Sequence, residues 1–326
     1  MGEDAMLRTP ACDLLGIDYP VVQAGMAREY TGAPLVAAVS AAGGLGILGC
    51  LGRPADEAVA AIRRIRALTD RPFGVNFVLH RLDEAAFAAC LAERVPVFSF
   101  FRDDPAAATA RAHAAGAVVI YQATTVAEAA RAVAAGVDLL IAQGTEAGGH
   151  MGPAPLWGLL PEVIAAAGGR PVLAAGGIVD GAGLAAALCL GAAGVVMGTR
   201  FLATPEAAAT ALHKRQLVAA GPEATIAGAI PDILWGVPWP GVQARALRNR
   251  LLARWTGREA ELPAARDEAL AALRRAEAAG DPDELILLAG MGAGRIRDLR
   301  PAGEIVQAVV AEAAAILRDW GRRAGG

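Results

Sequence analysis

The 326-residue chain carries a formal net charge of −3, and 55% of its residues are hydrophobic, a share swollen by alanine. Alanine favours helix and brings little apolar area, so this composition does not describe a membrane protein. The balanced charge, with only short arginine groups on helical segments, argues against nucleic acid as the main partner and points to a small-molecule ligand.

The opening residues, MGEDAMLRTP, contain acids and no apolar signal core, so a cytoplasmic location is expected. From there short β-branched runs alternate with alanine-rich segments of helical length. Strands are expected at 20–24 (PVVQA), 45–48, 73–77 (FGVNF), 95–99 (VPVFS), 117–121 (AVVIY), 138–142 (DLLIA), 171–175 (PVLAA) and 194–197 (GVVM). Between them, 54–68, 83–93, 105–115, 125–135 and 180–190 repeat apolar residues at spacings of three and four and end in Gly or Pro, which predicts helices. Two uncharged stretches, 31–52 and 181–199, could be misread as membrane spans. Glycines break both and their period changes midway, as in a buried helix running into a buried strand.

The expected strands lack polar alternation, as a parallel sheet covered by helices requires. An open doubly wound sheet is the alternative, but eight consecutive βα units favour closure into a (β/α)8 TIM barrel of the α/β class. After a helix near 206–220 the alternation stops. The expected organisation is a barrel over 1–220, an appended, mostly helical region over 221–303 that includes a charged helix at 263–279, and a C-terminal helix over 304–326 packing on the barrel. Cys12, Cys50, Cys90 and Cys189 are scattered without metal-ligand or CxxC spacing, so they read as buried thiols, and no metal is expected.

In such a barrel a ligand sits at the C-terminal strand ends, with phosphate often held after strands seven and eight. Those positions carry Gly176-Gly177 and Met197-Gly198-Thr199, where glycine lets an anion approach backbone N–H groups and Thr199 adds a hydroxyl. The loop after strand six, Gln143-Gly144-Thr145-Glu146-Ala147-Gly148-Gly149-His150, surrounds one histidine with glycines. His150 is therefore the candidate acid, base or oxyanion donor. His80, His113 and His213 lack such a setting, and the last two fall on expected helices as structural or solvent-facing residues. The first strand ends in Gly25-Met26, and the third holds Asn76. Small residues, a thioether and an amide suit a wall against a flat ring with a polar edge, the requirements of a flavin.

PVVQAGMA, the 37–49 stretch AAVSAAGGLGILG, GVNF, AQGTEAGGHMG, PVLAAGGI and VVMGTRFLATPEA together resemble the nitronate monooxygenases, formerly called 2-nitropropane dioxygenases. ARALRN (244–249) and LAGMGAG (288–294) are similar to that family's C-terminal segments, although Met291 stands where a glutamine is usual. The resemblance implies bound FMN, contacted by Asn76, Gln143 and Gly148, with Gly25 and Met26 beside its ring. Gly176, Gly177 and Met197 to Thr199 would hold the phosphate. Gln122 stands where some relatives place a lysine near the flavin pyrimidine, so stabilisation of the reduced ring is expected to be weaker. His150 matches the family's active-site histidine.

The implied activity is FMN-dependent denitrification of alkyl nitronates with O2 to a carbonyl compound and nitrite, with nitronate or nitroalkane and O2 as small-molecule partners. A rival with the same cofactor is an NAD(P)H-dependent reductase of an enoyl thioester or quinone, similar to the flavin-dependent enoyl-acyl-carrier-protein reductases that share the AGGH loop. A flavin-free phosphate-binding lyase or isomerase is a third reading. An aldolase of that kind needs a Schiff-base lysine, and Lys214 lies on a helix outside the barrel. The residues leave the physiological substrate and the oligomeric state open, a homo-oligomer included.

Overall fold

The structure, a computed structural model, describes residues 7–237 and 239–324. Residues 1–6 of the opening stretch lie outside the described residues. Among the described residues eleven strands follow one another: β1 (Val21–Gln23), β2 (Gly46–Gly49), β3 (Phe73–Val78), β4 (Val97–Phe101), β5 (Val118–Ala123), β6 (Leu139–Gln143), β7 (Gly149–Met151), β8 (Val172–Ala175), β9 (Val195–Met197), β10 (Thr225–Gly228) and β11 (Gln243–Leu247). The eight expected from the sequence are all present, each within a few residues of its expected place. Eight strands form one sheet in the order β1-β9-β8-β6-β5-β4-β3-β2, every pair parallel. Gln23 N donates to Leu45 O (2.9 Å) and Leu45 N to Val21 O (3.0 Å), so the chain just ahead of β2 meets β1 and closes a (β/α)8 barrel.

The period of two along each strand sorts side chains into two cores. Val22, Ile47, Val97, Ile120, Ile141, Leu173 and Val196 point inward, and the helix Pro10–Leu15 caps their lower end with Ala11, Cys12 and Leu15. Residues of the opposite parity, such as Val75, Phe77, Phe98, Phe100, Tyr121, Leu140 and Met197, face the helical ring. Burying a side chain of this size contributes about 1.5–3 kcal/mol, and the ring packs these residues against Ile62, Phe87, Leu160 and Leu184 on the covering helices.

The covering helices run through Ala55–Leu68, Glu84–Ala92, Ala106–Ala114, Val126–Ala134, Leu156–Ala166 and Gly181–Cys189. Side chains of Asp83, Thr125 and Asp180 accept from N–H groups of the first turns that follow them. Such caps satisfy donors that have no partner inside the helix. Both stretches that could be misread as membrane spans divide into helix and strand: Ala33–Ala41 runs to β2, and Gly181–Cys189 to β9. Among the described residues no helix is long and apolar enough to cross a membrane. The helix Ala302–Ala324 packs its buried face, Ile305, Val306, Val309 and Ala313, against both Ala33–Ala41 and Gly181–Cys189.

Residues 221–303 hold the helices Ile230–Trp235, Arg250–Trp255 and Leu262–Ala279. They also hold two strands that the sequence did not signal. β10 pairs with β11, and β11 pairs with β7, both antiparallel, with Ala244 opposite His150. This three-stranded sheet ties the loop after β6 to the chain that arrives some hundred residues later.

Candidate active site

A cleft at the C-terminal ends of the barrel strands encloses about 1150 Å³, counting the solvent at its mouth. The inward parity that builds the lower core continues upward into this cleft. Above Gly74 stands Asn76, above Ile120 stands Gln122, above Ile141 stands Gln143, and above Leu173 stands Ala175.

Every candidate residue from the sequence lines the cleft except Met197. Met197 has the outward parity of β9; the residue is 1% exposed among the helices, and its carbonyl accepts from Ala24 N at 3.0 Å. The adjacent Gly198 and Thr199 line the cleft, and Met197 does not. Met291 also stays outside, 47% exposed, with its N–H donated to Glu146 O at 2.9 Å.

Asn76 donates from Nδ2 to Ser99 O (3.2 Å) and lies near Ser99 Oγ (3.3 Å), which fixes the amide and leaves its carbonyl oxygen for a ligand. Gln143 is 8% exposed, and its Oε1 is buried without a partner among the described residues. An acceptor orphaned this way costs about 1–3 kcal/mol until a donor fills it. The loop after β1 is pinned beside them. Thr31 Oγ1 donates to Met26 O (2.9 Å) and accepts from Gly49 N (3.0 Å), while buried Arg53 donates to Thr31 O at 2.7 Å.

At the other end, Gly176 and Gly177 adopt φ of 118° and 70°, a left-handed backbone that strains any side chain. They turn beside Gly198 and Thr199. Here the structure adds residues that the site reading missed: Gly290 and Gly292, from the 288–294 segment, also line the cleft. Gly290 N donates to Thr199 Oγ1 at 2.9 Å, so the hydroxyl proton of Thr199 remains free for a ligand. A Cβ on Gly290 would lie 2.8 Å from Glu146 O and from Gly148 N, so only glycine lets this segment close on the loop after β6. The clustering of Gly290, Gly292 and Gly294 was the available signal.

His150 stands at the opposite wall on β7. Its Nε2 lies 2.7 Å from Asp232 Oδ1, and the two side chains are only 12% and 10% exposed. The imidazole stacks on Trp239 with centroids 3.6 Å apart and planes 13° apart. Trp239 is itself flanked by Phe101 and, edge-on at 4.6 Å, by His80. Asp232, Trp239 and His80 were not singled out from the sequence: they sit far from His150 along the chain and in no motif, and the β7–β11 pairing helps bring the first two to it. Leu51, Val78, Phe101 and Trp239 make this half of the cleft apolar. Burial and the nearby Arg102 and Arg81 guanidinium groups push the His80 imidazole below its ordinary value.

The remaining histidines serve the scaffold. His113 pairs with Asp138 at 2.9 Å on the surface. His213 is 2% exposed and its Nε2 faces Leu288 O at 3.1 Å; burial pushes it down to about 4. Lys214 donates to the carbonyls of Pro205 and Ala207 and takes no part in lining the cleft.

This geometry has relatives. The nitronate monooxygenase family model matches residues 8–93 and 83–312. The nitronate monooxygenase of Pseudomonas aeruginosa is 38% identical over 351 aligned positions, covering 92% of this chain and 97% of the relative. A Mycobacterium tuberculosis protein named (3aS,4S,5R,7aS)-5-hydroxy-7a-methyl-1-oxo-octahydro-1H-indene-4-carboxyl-CoA dehydrogenase is 44% identical over 249 positions, 76% of this chain and 68% of the relative. Among solved structures, FabK from Thermotoga maritima superposes with a TM-score of 0.87 at 34% identity, over 98% of this chain and all of its own. A barrel matched end to end, with its glycine loops and rim histidine in one cleft, identifies the chain as an oxidoreductase that belongs to the nitronate monooxygenase family.

Proposed function

We propose that the protein is an FMN-dependent oxidoreductase that converts alkyl nitronates or their parent nitroalkanes, with O2, to a carbonyl compound and nitrite. The observation that carries this reading is the division of one cleft into a polar, glycine-walled half and an apolar half that ends on His150. The first half fits a flavin. The orphan Oε1 of Gln143 can accept from a ring N–H, the carbonyl oxygen of Asn76 offers a second acceptor, and Gly25 with Met26 leaves a flat face. Gly176, Gly177, Gly198 and Thr199 offer backbone N–H groups and a hydroxyl to a phosphate, with Gly290 closing over them. Gln122 and Gly148 complete the wall.

When bound, the flavin supplies the electron-accepting ring and its reaction with O2. The protein's own part is to place a small acidic carbon compound between the ring and His150. The apolar wall of Leu51, Val78, Phe101 and Trp239 keeps water from the reacting carbon. His150 removes the proton next to the nitro group, or faces the anion of a ready-made nitronate. Lys214, the one lysine of the sequence, does not line the cleft, which counts against Schiff-base chemistry.

One observation favours a second reading, oxidation or reduction beside a thioester carbonyl with NAD(P)H as the electron partner. The relative of 44% identity is named as a dehydrogenase of a carboxyl-CoA compound. A yellow protein with a visible flavin band removes the flavin-free readings. Anaerobic mixing then separates the other two: bleaching by nitroethane or propionate 3-nitronate alone supports the first, and bleaching by NADH or NADPH alone the second. His150→Ala is expected to keep its flavin and lose at least about 10²-fold in the rate of bleaching by nitroethane, the contribution of a positioned base. Full bleaching by that variant would take His150 out of the reaction.

A further inference from the structure

We infer that Asp232 is the positioning residue for His150, holding its ring in the Nε2–H form so that Nδ1 presents a lone pair to the substrate. This rests on the reading of His150 as the reacting base. The geometry is that of a dedicated pair. Asp232 Oδ1 lies 2.7 Å from Nε2, the two side chains are 10% and 12% exposed, and among the described residues the carboxylate makes no other hydrogen bond or ion pair. A carboxylate accepts and does not donate, so Nε2 carries the proton in this contact. No described residue pairs with Nδ1, and the His150 side chain lines the cleft.

The backbone holds both partners in register. His150 sits on β7 opposite Ala244 of β11, and β11 in turn pairs with β10, which runs directly into the helix Ile230–Trp235 that carries Asp232. Trp239, stacked at 3.6 Å, stops rotation of the ring out of the Asp232 plane. An imidazole fixed by a carboxylate on one nitrogen and open on the other is the arrangement a general base requires. In the step itself, the substrate C–H bond breaks, an Nδ1–H bond forms, and the electron pair stays on the carbon. The resulting imidazolium keeps its Nε2–H on Asp232 and its face on the Trp239 indole, and both contacts favour the positive charge.

The test uses the flavin-loaded full chain with 15N-labelled histidine. The expected nitrogen spectrum of the parent protein shows His150 as the Nε2–H tautomer, and Asp232→Asn shows a mixture of tautomers. Anaerobic flavin bleaching by nitroethane is expected to slow roughly 10²-fold in Asp232→Asn, within the about 10²–10⁴ that a positioned base supplies. Asp232→Glu should recover part of that loss. His150→Ala with Asp232→Asn should be no slower than His150→Ala alone.

A parent spectrum showing the Nδ1–H tautomer overturns the inference without any variant. So does an Asp232→Asn protein that bleaches at the parental rate, or a double variant whose losses multiply. Should Asp232→Asn fail to fold, the parent tautomer and Asp232→Glu still decide. Full activity of His150→Ala would mark failure of the underlying reading, a result separate from all of these.

Discussion

Acid should weaken this fold through one histidine away from the chemistry. His213 is 2% exposed, packs edge-on against Tyr30 with centroids 5.6 Å apart, and has its Nε2 at 3.1 Å from Leu288 O. Burial lowers it from 6.5 to about 4. Above pH 6.5 the ring is neutral in both the folded and the unfolded chain, and the stability of this site is fully present. As pH falls below 6.5 the unfolded chain takes up a proton that the folded one refuses until about pH 4. Stability is therefore lost across that window and levels off below it. At about 1.4 kcal/mol per pH unit the loss is about 3 kcal/mol. His213→Gln keeps a side-chain N–H for Leu288 but cannot titrate. Urea denaturation of both proteins from pH 7.5 to 4 should show the parent losing about 3 kcal/mol more than the variant. Half-buried His80, which titrates low in both proteins, cancels in that difference. Parallel curves would refute the argument.

Two further substitutions test the cofactor half of the cleft. In Gly25→Ala the new Cβ would lie 2.3 Å from Asn76 Cβ and 3.0 Å from Ile47 Cγ2. Displacing Asn76 costs about 1–3 kcal/mol, so FMN affinity measured by fluorescence titration of the apoprotein should fall roughly 5- to 150-fold. An unchanged affinity would remove the flavin from that wall. Thr199→Val keeps the shape but leaves Gly290 N without its acceptor and the phosphate without a hydroxyl. FMN binding should weaken roughly tenfold, about 1.4 kcal/mol, while riboflavin, which lacks the phosphate, binds as before. Equal losses for both ligands would place the phosphate elsewhere.

Much of this arrangement was readable from residue order because a barrel translates strand parity into position. Asn76, Gln122 and Gln143 each stand two residues beyond an inward residue, or past an apolar one, at a C-terminal strand end. The same parity test, applied to Val195-Val196-Met197, turns the Met197 side chain outward among the helices. What stayed hidden depends on pairing across long separations. β10 and β11 are short, and the buried residues of β11, Ala244 and Ala246, resemble the alanines of any helix in this chain. Without that sheet in view, Asp232 reads as an acid in a helix's first turn and Trp239 as one tryptophan among several. The polar networks that pin the site, such as Arg53 on Thr31 O, likewise come from tertiary contact alone.

The three-stranded sheet that fastens the His150 loop also sets an order of assembly. The last barrel strand, β9, ends at Met197, whereas Asp232, Trp239 and Gly290 come later in the chain. At synthesis rates of about 5–20 residues per second, roughly 5–20 s separate emergence of the last barrel strand from that of the 288–294 segment. At the start of that interval the loop that carries His150 lacks its β11 partner, and until its end Thr199 lacks Gly290. The lining of the His150 cleft is thus complete only once the 288–294 segment has been made.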